Sequence, residues 1–334
     1  MAIRKLRWAL MSTANINQAV IKPLKKAARS ELVGVASRDG DRAAAYAQEW
    51  GLARTWSSYE ELLADPDIDV IYNPLPNSMH AGWSVLAAQA GKHVLCEKPL
   101  AVHMEEMDAL QRAAQENNVT IFEAFMYLHH PQTRALLKML NEGRIGNLQT
   151  IHSWFNFYLP ATDSANVRMQ PGLTGGSNWD VGVYPNSMAI VMSGGKAPEA
   201  VWAQSVIGET GVDVAMRAQL RFPHDVTAQL SCGFRTPFVE GAWFEGDEGS
   251  LYVKEPWKPG HTGNPSTVVF TDINDQTEEI VFPPMDPYDY EVAAMEACVL
   301  DGAEPIVPLA LSREFLRTIL AMYRSAASGA VEQP

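Results

Sequence analysis

The sequence predicts an α/β part built on a doubly wound parallel sheet, followed by an α+β part built on an open, mostly antiparallel sheet with helices on one face. Three observations predict it. Up to Phe125, short apolar runs alternate with helical patterns, the arrangement of parallel strands joined by right-handed crossovers. After Gly146 the texture changes to alternating apolar and polar residues with turns between them, which suits half-buried antiparallel strands. The chain has 334 residues, 47% of them apolar, which is too long for one typical core and ample for two. The expected division is 1–126 and 127–334, with the last helices able to pack back on the first domain.

The elements follow in order. "LRWAL" reads as a first buried strand and "QAVIKPLKKA" as the helix after it. "ELVGVAS" (31–37), "DVIYNPL" (69–75), "KHVLCEKP" (92–99) and "VTIFEAF" (119–125) are further strands, separated by helical patterns near 41–50, 57–64, 78–90 and 103–117. In the second part "LQTIHSWFNFYL", "EAVWAQSVI", "VDVAMRAQLRF", "VTAQLSCGF", "AWFEGDEGSLYV" and "STVVFTDI" read as strands, and 287–301 and 309–327 as closing helices.

Composition narrows the function. A net charge of −13 argues against a nucleic-acid partner, and the one basic cluster, "KPLKKAAR", suits the exposed C-terminal end of a helix. Cys96, Cys232 and Cys298 have neither disulfide nor zinc spacing, so a reducing, cytoplasmic setting is expected. The apolar run in "MAIRKLRWALMSTA" is shorter than the roughly 7–15 residues of a secretory segment. No stretch reaches the ~18 apolar residues of a membrane span. Adjacent His129 and His130 do not share a helix face, so no metal site is expected and a turn before the next helix is the better reading.

Ligands of an open parallel sheet collect at the carboxyl ends of its strands. Here those ends are "STANIN", "SRDGDR", "NPLPNSMH", "CEKP" and "EAFMY". They supply the candidate cofactor contacts Ser12, Thr13, Ala14, Asn15, Ile16, Ser37, Arg38, Asn73, Pro74, Leu75, Asn77, His80, Glu97 and Lys98, with Tyr127 toward a substrate. "STANIN" stands where a dinucleotide-binding turn carries Gly-x-Gly-x-x-Gly, and has none of the three glycines. "CEKP" leaves a strand with a lysine beside a carboxylate, which suits either a crevice mouth or a surface salt bridge. In "TGGSNWDVGVYPNSMAI", Asp180 and Tyr184 stand four apart on an apolar helix after a flexible glycine pair. That suits proton transfer, or plain helix packing with Asn178 as cap. Trp179, next to Asp180, is a candidate sugar platform.

Together "VASRDGDRAAAYAQEWG", "NPLPNSMH", "VLCEKPLA", "EAFMYLHHPQ", "GRIGNLQTI" and "WDVGVYPNS", six motifs in order, resemble the Gfo/Idh/MocA (glucose-fructose oxidoreductase, inositol dehydrogenase, rhizopine catabolism) family, in its dihydrodiol and xylose dehydrogenase branch. The resemblance implies a Rossmann domain joined to an open sheet that covers the substrate and often forms a dimer face. It implies that Lys98 contacts both cofactor and substrate hydroxyl, that Asp180 and Tyr184 supply an acid and a proton donor, and that tyrosine in the last slot marks the sugar and dihydrodiol branch. Two positions depart from the pattern: Leu128 stands where arginine is expected after "EAFMY", and the fingerprint glycines are absent.

The implied activity is hydride transfer between NADP, with NAD as the alternative, and a hydroxyl or carbonyl carbon of a sugar, polyol or cyclic diol. A lysine ammonium stabilises a nearby phenolate, bringing a tyrosine into the range of acid–base work. Ser37-Arg38 at the end of the second strand suits a 2′-phosphate. Asp39 then either orients Arg38 or binds the ribose. Two other readings stay open: a sugar-to-sugar oxidoreductase with non-dissociating NADP, and a catalytically lapsed sensor. A homodimer or higher homo-oligomer is expected, with neither nucleic acid nor membrane as partner.

Overall fold

The computed structural model describes residues 4–334, so the first three residues of the N-terminal stretch read above lie outside it. It divides into two compact units, one running up to Phe125 and taking in Tyr288–Leu309, the other comprising Met126–Pro287 and Ala310–Pro334.

The first unit is a six-stranded, all-parallel sheet. Its strands β1 (Leu6–Met11), β2 (Ser30–Ala36), β3 (Arg54–Trp56), β4 (Val70–Asn73), β5 (His93–Cys96) and β6 (Ile121–Glu123) lie in the order β3-β2-β1-β4-β5-β6. Strand order reverses between β1 and β4, and ligands of such sheets bind at the carboxyl ends beside that switch. Helices α1 (Asn17–Lys26), α2 (Gly40–Trp50), α3 (Tyr59–Ala64), α4 (His80–Gln89) and α5 (Met104–Asn117) form the crossovers. The buried strands read as continuous apolar runs, as parallel strands covered on both faces do. Strand β3, three residues long, carried too little pattern to be read from sequence. It explains Gly34 in β2, where a Cβ would press on the Arg54 carbonyl.

The second unit holds eight strands, β7 (Leu148–Tyr158), β8 (Ala200–Ile207), β9 (Asp213–Arg221), β10 (Thr227–Gly233), β11 (Arg235–Gly246), β12 (Gly249–Val253), β13 (Ser266–Asp272) and β14 (Thr277–Phe282). They lie in the order β14-β13-β12-β11-β7-β10-β9-β8, all neighbours antiparallel except β7 and β10. "AWFEGDEGSLYV" is thus a hairpin rather than one strand, β11 and β12 turning between Gly246 and Gly249. Alternation in β9, from buried Met216, Ala218 and Leu220 to exposed Arg217, Gln219 and Arg221, shows one face covered and one open. Helices α6 (Met126–His129), α7 (Pro131–Asn141) and α8 (Val183–Met192) belong to this unit, and α8 packs on β7 and β10. Among the described residues no helix is long and apolar enough to cross a membrane, and no group of three or more His, Cys, Asp or Glu is placed to hold a metal ion.

Candidate active site

In the first unit the loop after β1 answers the missing glycines. Ser12 holds φ at 142°, a conformation that L-residues rarely adopt, and its hydroxyl accepts the Ala14 N–H at 3.2 Å. The Asn17 amide donates to the Ser12 carbonyl at 2.7 Å, fixing the loop to the start of α1. Helix α1 has no side-chain cap, and among the described residues the Asn15 and Ile16 amides take no backbone partner. An uncapped helix start behind small residues is an anion cradle, so the loop fits a pyrophosphate without glycines.

The end of β2 settles where Asp39 goes. Its carboxylate accepts the Arg42 N–H at 3.1 Å and caps α2, while its own N–H donates to the Ser37 hydroxyl at 3.2 Å. Arg38 is exposed, and its guanidinium faces Tyr59, whose pKa is raised by burial and drawn back down by Arg38.

At the end of β4 the Asn73 side chain is spent on structure. Its amide donates to the His80 carbonyl and the Ser84 hydroxyl, both at 3.0 Å, and its oxygen accepts the Leu75 N–H at 3.3 Å. Pro74 and Leu75 are buried in this turn, and Asn77 begins a short 3-10 segment leading into α4. Burial lowers the His80 pKa to about 4, so its ring is neutral and Nδ1–H donates to the Pro99 carbonyl at 2.7 Å. Two further clamps hold the turn after β5: Tyr72 donates to Glu97 at 2.6 Å, and buried Glu123 accepts the Leu100 N–H at 2.9 Å. Half-buried Lys98 is therefore fixed on both sides by side chains of β4, α4 and β6. The Lys98–Pro99 bond is cis. Sequence reasoning missed Tyr72 and Glu123, which carry no local signal.

In the second unit Asp180 and Tyr184 lie where a π-helical segment, Asn178–Gly182, opens into α8. Asn178 is not the cap expected from sequence. Asp213 of β9 does that work, accepting from the Ser177 hydroxyl at 2.6 Å, the Asn178 N–H at 2.8 Å and the Tyr323 hydroxyl at 2.6 Å. Nor is the glycine pair there for flexibility. A Cβ on Gly175 would lie 2.5 Å from the Arg168 carbonyl, and Gly176, at φ 123°, abuts Asp213. Both glycines permit close approach of a loop.

That loop carries Arg168, which the sequence did not flag. Its Nε donates to Asp180 Oδ2 at 2.6 Å. The Arg168 pKa is raised first by the Asp180 charge, against the opposing effect of burial, with Tyr184 adding to the rise. Tyr184 is buried, its hydroxyl on Met126 Sδ at 3.8 Å and its ring among Tyr127, Phe155 and Trp257. Tyr127 is buried and shares a 2.7 Å hydrogen bond with Ser187, while Trp179 is stacked on Tyr323 and buried. Neither ring presents an open platform. His129 and His130 are buried with pKa values lowered to about 4; His129 closes α6, so only His130, whose Nδ1 accepts the Gln132 N–H at the start of α7, lies in the turn expected for both.

Comparison with known proteins decides the family. Residues 6–125 match the oxidoreductase family with an NAD-binding Rossmann fold, and residues 133–252 match the GFO/IDH/MocA C-terminal domain. The chain belongs to the Gfo/Idh/MocA family. As in other Gfo/Idh/MocA proteins, the Rossmann unit is the nucleotide domain of an oxidoreductase. The chain is 36% identical, over 97% of its length and 98% of the relative's, to D-xylose 1-dehydrogenase (NADP(+)) 2 of Haloferax volcanii. It is 30% identical to mouse trans-1,2-dihydrobenzene-1,2-diol dehydrogenase, over 96% of each chain. Among solved structures, a 3-ketoreductase from Actinomadura kijaniata in complex with NADP and TDP-benzene superposes with a TM-score of 0.88 at 29% identity, covering 96% of this chain and 98% of that one. The aldose-aldose oxidoreductase of Caulobacter crescentus shares the fold with a TM-score of 0.89 at 22% identity, over 99% of this chain and 100% of that one.

Proposed function

We propose that this Gfo/Idh/MocA protein is an NADP-dependent dehydrogenase or reductase acting on a CH–OH carbon of a sugar, polyol or cyclic diol. The observation that carries the reading is the Asp180–Arg168 pair, held at 2.6 Å one helical turn from the Tyr184 phenol. Relatives named for D-xylose and for a dihydrobenzenediol support the substrate class, and the NADP in the name of the first supports the cofactor.

Ser12, Thr13, Ala14, Asn15 and Ile16 hold the pyrophosphate, and Ser37 with Arg38 receives the 2′-phosphate because Asp39 is occupied as a helix cap. The turn Asn73–Leu75, Asn77, His80 and Glu97 shape the rest of the nucleotide site. The bound nicotinamide supplies a hydride acceptor in oxidation and a hydride donor in reduction. Lys98 donates to the reacting oxygen. Tyr184 takes the hydroxyl proton as substrate carbon loses hydride, or returns it in reduction, and Asp180 with Arg168 fixes the charge around that transfer. Tyr127, packed on the Tyr184 ring, and Trp179, next to Asp180 in the chain, act on the substrate side only through those two residues, since both rings are buried.

The test is steady-state kinetics on D-xylose and on trans-1,2-dihydrobenzene-1,2-diol with NADP. Tyr184→Phe should lower kcat at least a hundredfold while leaving nucleotide affinity near native, and Lys98→Ala should impair both. Arg38→Ala should erase a preference for NADP over NAD. Near-native turnover by Tyr184→Phe would remove the phenol from the chemistry.

A further inference from the structure

Arg168 is set up for more than holding Asp180. Its backbone is fixed from three directions: its N–H donates to Asn166 Oδ1 at 3.1 Å, its carbonyl accepts the Gly176 N–H at 2.8 Å, and Gly175 packs against that carbonyl too closely for any side chain. Its side chain is fixed at Nε by Asp180, and the guanidinium lies 5.9 Å from the Phe157 ring centroid. Nε uses one of five N–H groups. Among the described residues no side chain or carbonyl accepts from the two terminal nitrogens. The side chain is nonetheless 41% exposed while its Nε is held on Asp180.

A planar guanidinium locked through Nε offers its terminal N–H groups as a fixed fork, matched to two oxygens side by side. Its charge is met by the carboxylate in contact with it, which favours a neutral oxygen pair over an isolated anion. Resting on the proton-transfer reading of Tyr184, we propose that Arg168 is the specificity-determining residue of the substrate unit, recognising vicinal hydroxyls adjacent to the reacting carbon. The reacting oxygen goes to Tyr184 and the neighbouring hydroxyls to the fork. Nothing in the sequence points to this, because Arg168 lies in a short 3-10 segment, Val167–Met169, 12 residues from Asp180.

Arg168→Lys tests it, because lysine keeps a cation for Asp180 and removes the fork. Binding of D-xylose and of its 2-deoxy and 3-deoxy analogues to the NADP-loaded protein is followed by tryptophan fluorescence, and turnover of each is measured in parallel. In the native protein, loss of one vicinal hydroxyl should weaken binding and lower kcat/KM at least tenfold. In Arg168→Lys the same loss should cost less than threefold, with native nucleotide affinity. A tenfold penalty that persists in Arg168→Lys, or analogues that bind the native protein as well as D-xylose does, overturns the assignment. If the binding difference follows Arg168 while no sugar is turned over, the recognition role stands and the proton-transfer reading falls.

Discussion

At Ser12, one residue carries the conflict between local preference and site geometry. A non-glycine residue at φ 142° costs on the order of 1 kcal/mol, and the hydroxyl returns part of that through the Ala14 N–H. Serine is thus strained but self-supporting, which no spacing rule for glycines encodes. Ser12→Gly should relieve the strain yet loosen the loop, leaving NADP affinity within about tenfold, or roughly 1.4 kcal/mol. Ala14→Leu should abolish binding by filling the pyrophosphate's space. Calorimetric titration of nucleotide-free protein reads both, and millimolar NADP without heat from the native chain would end the cradle reading. Arg168 illustrates the opposite limit of legibility. Glu97, Lys98, Asp180 and Tyr184 stood in motifs, whereas Arg168 has meaning only through a chain reversal at Gly175 that brings its carbonyl onto the glycine.

At the level of elements, strands and helices with strong periodicity were legible and those without it were not. Helix α5 and strand β7 lie within a residue or two of their expected bounds, because each carries a full amphipathic or alternating pattern. Strand β14, "TEEIVF", is exposed or half-exposed throughout, so its sequence shows no buried face. Beside the β1–β4 ladder stands a polar contact equally invisible in periodicity. Asp69 accepts the Arg7 backbone N–H at 2.9 Å and its guanidinium at 3.2 Å. Burial alone would raise the Asp69 carboxyl, but Arg7, through side-chain and backbone hydrogen bonds and charge, holds it below its usual value. A carboxyl depressed in the folded state contributes stability above its unfolded pKa, near 4, and loses it as pH falls through the folded value. Asp69→Asn should therefore cost about 1 kcal/mol at pH 7 and much less at pH 3. Thermal unfolding at both pH values checks this, and an equal loss at each would assign the effect to packing instead.

At the level of the whole molecule, the open face of the second sheet is the feature that its unit alone leaves unexplained. One row of directly paired residues crosses five strands: Trp243 of β11, His152 of β7, Gln229 of β10, Gln219 of β9 and Trp202 of β8. The two tryptophans are 42% and 44% exposed at the ends of the row, and the groups between them are hydrogen-bonding side chains. Such a row, apolar at its ends and polar between, can meet itself across a two-fold axis, each tryptophan covering the other copy's strand edge. Trp243 packs edge-on against Tyr252 with ring centroids 6.0 Å apart, and more than two fifths of each indole still faces outward. The homodimer expected from the sequence would have this row as its interface. Trp243→Arg should put two extra cations against each other across the axis and halve the light-scattering mass at micromolar concentration, without lowering the melting temperature of the separated chains. A native mass equal to one chain at that concentration would leave the row facing solvent and remove the dimer from the account.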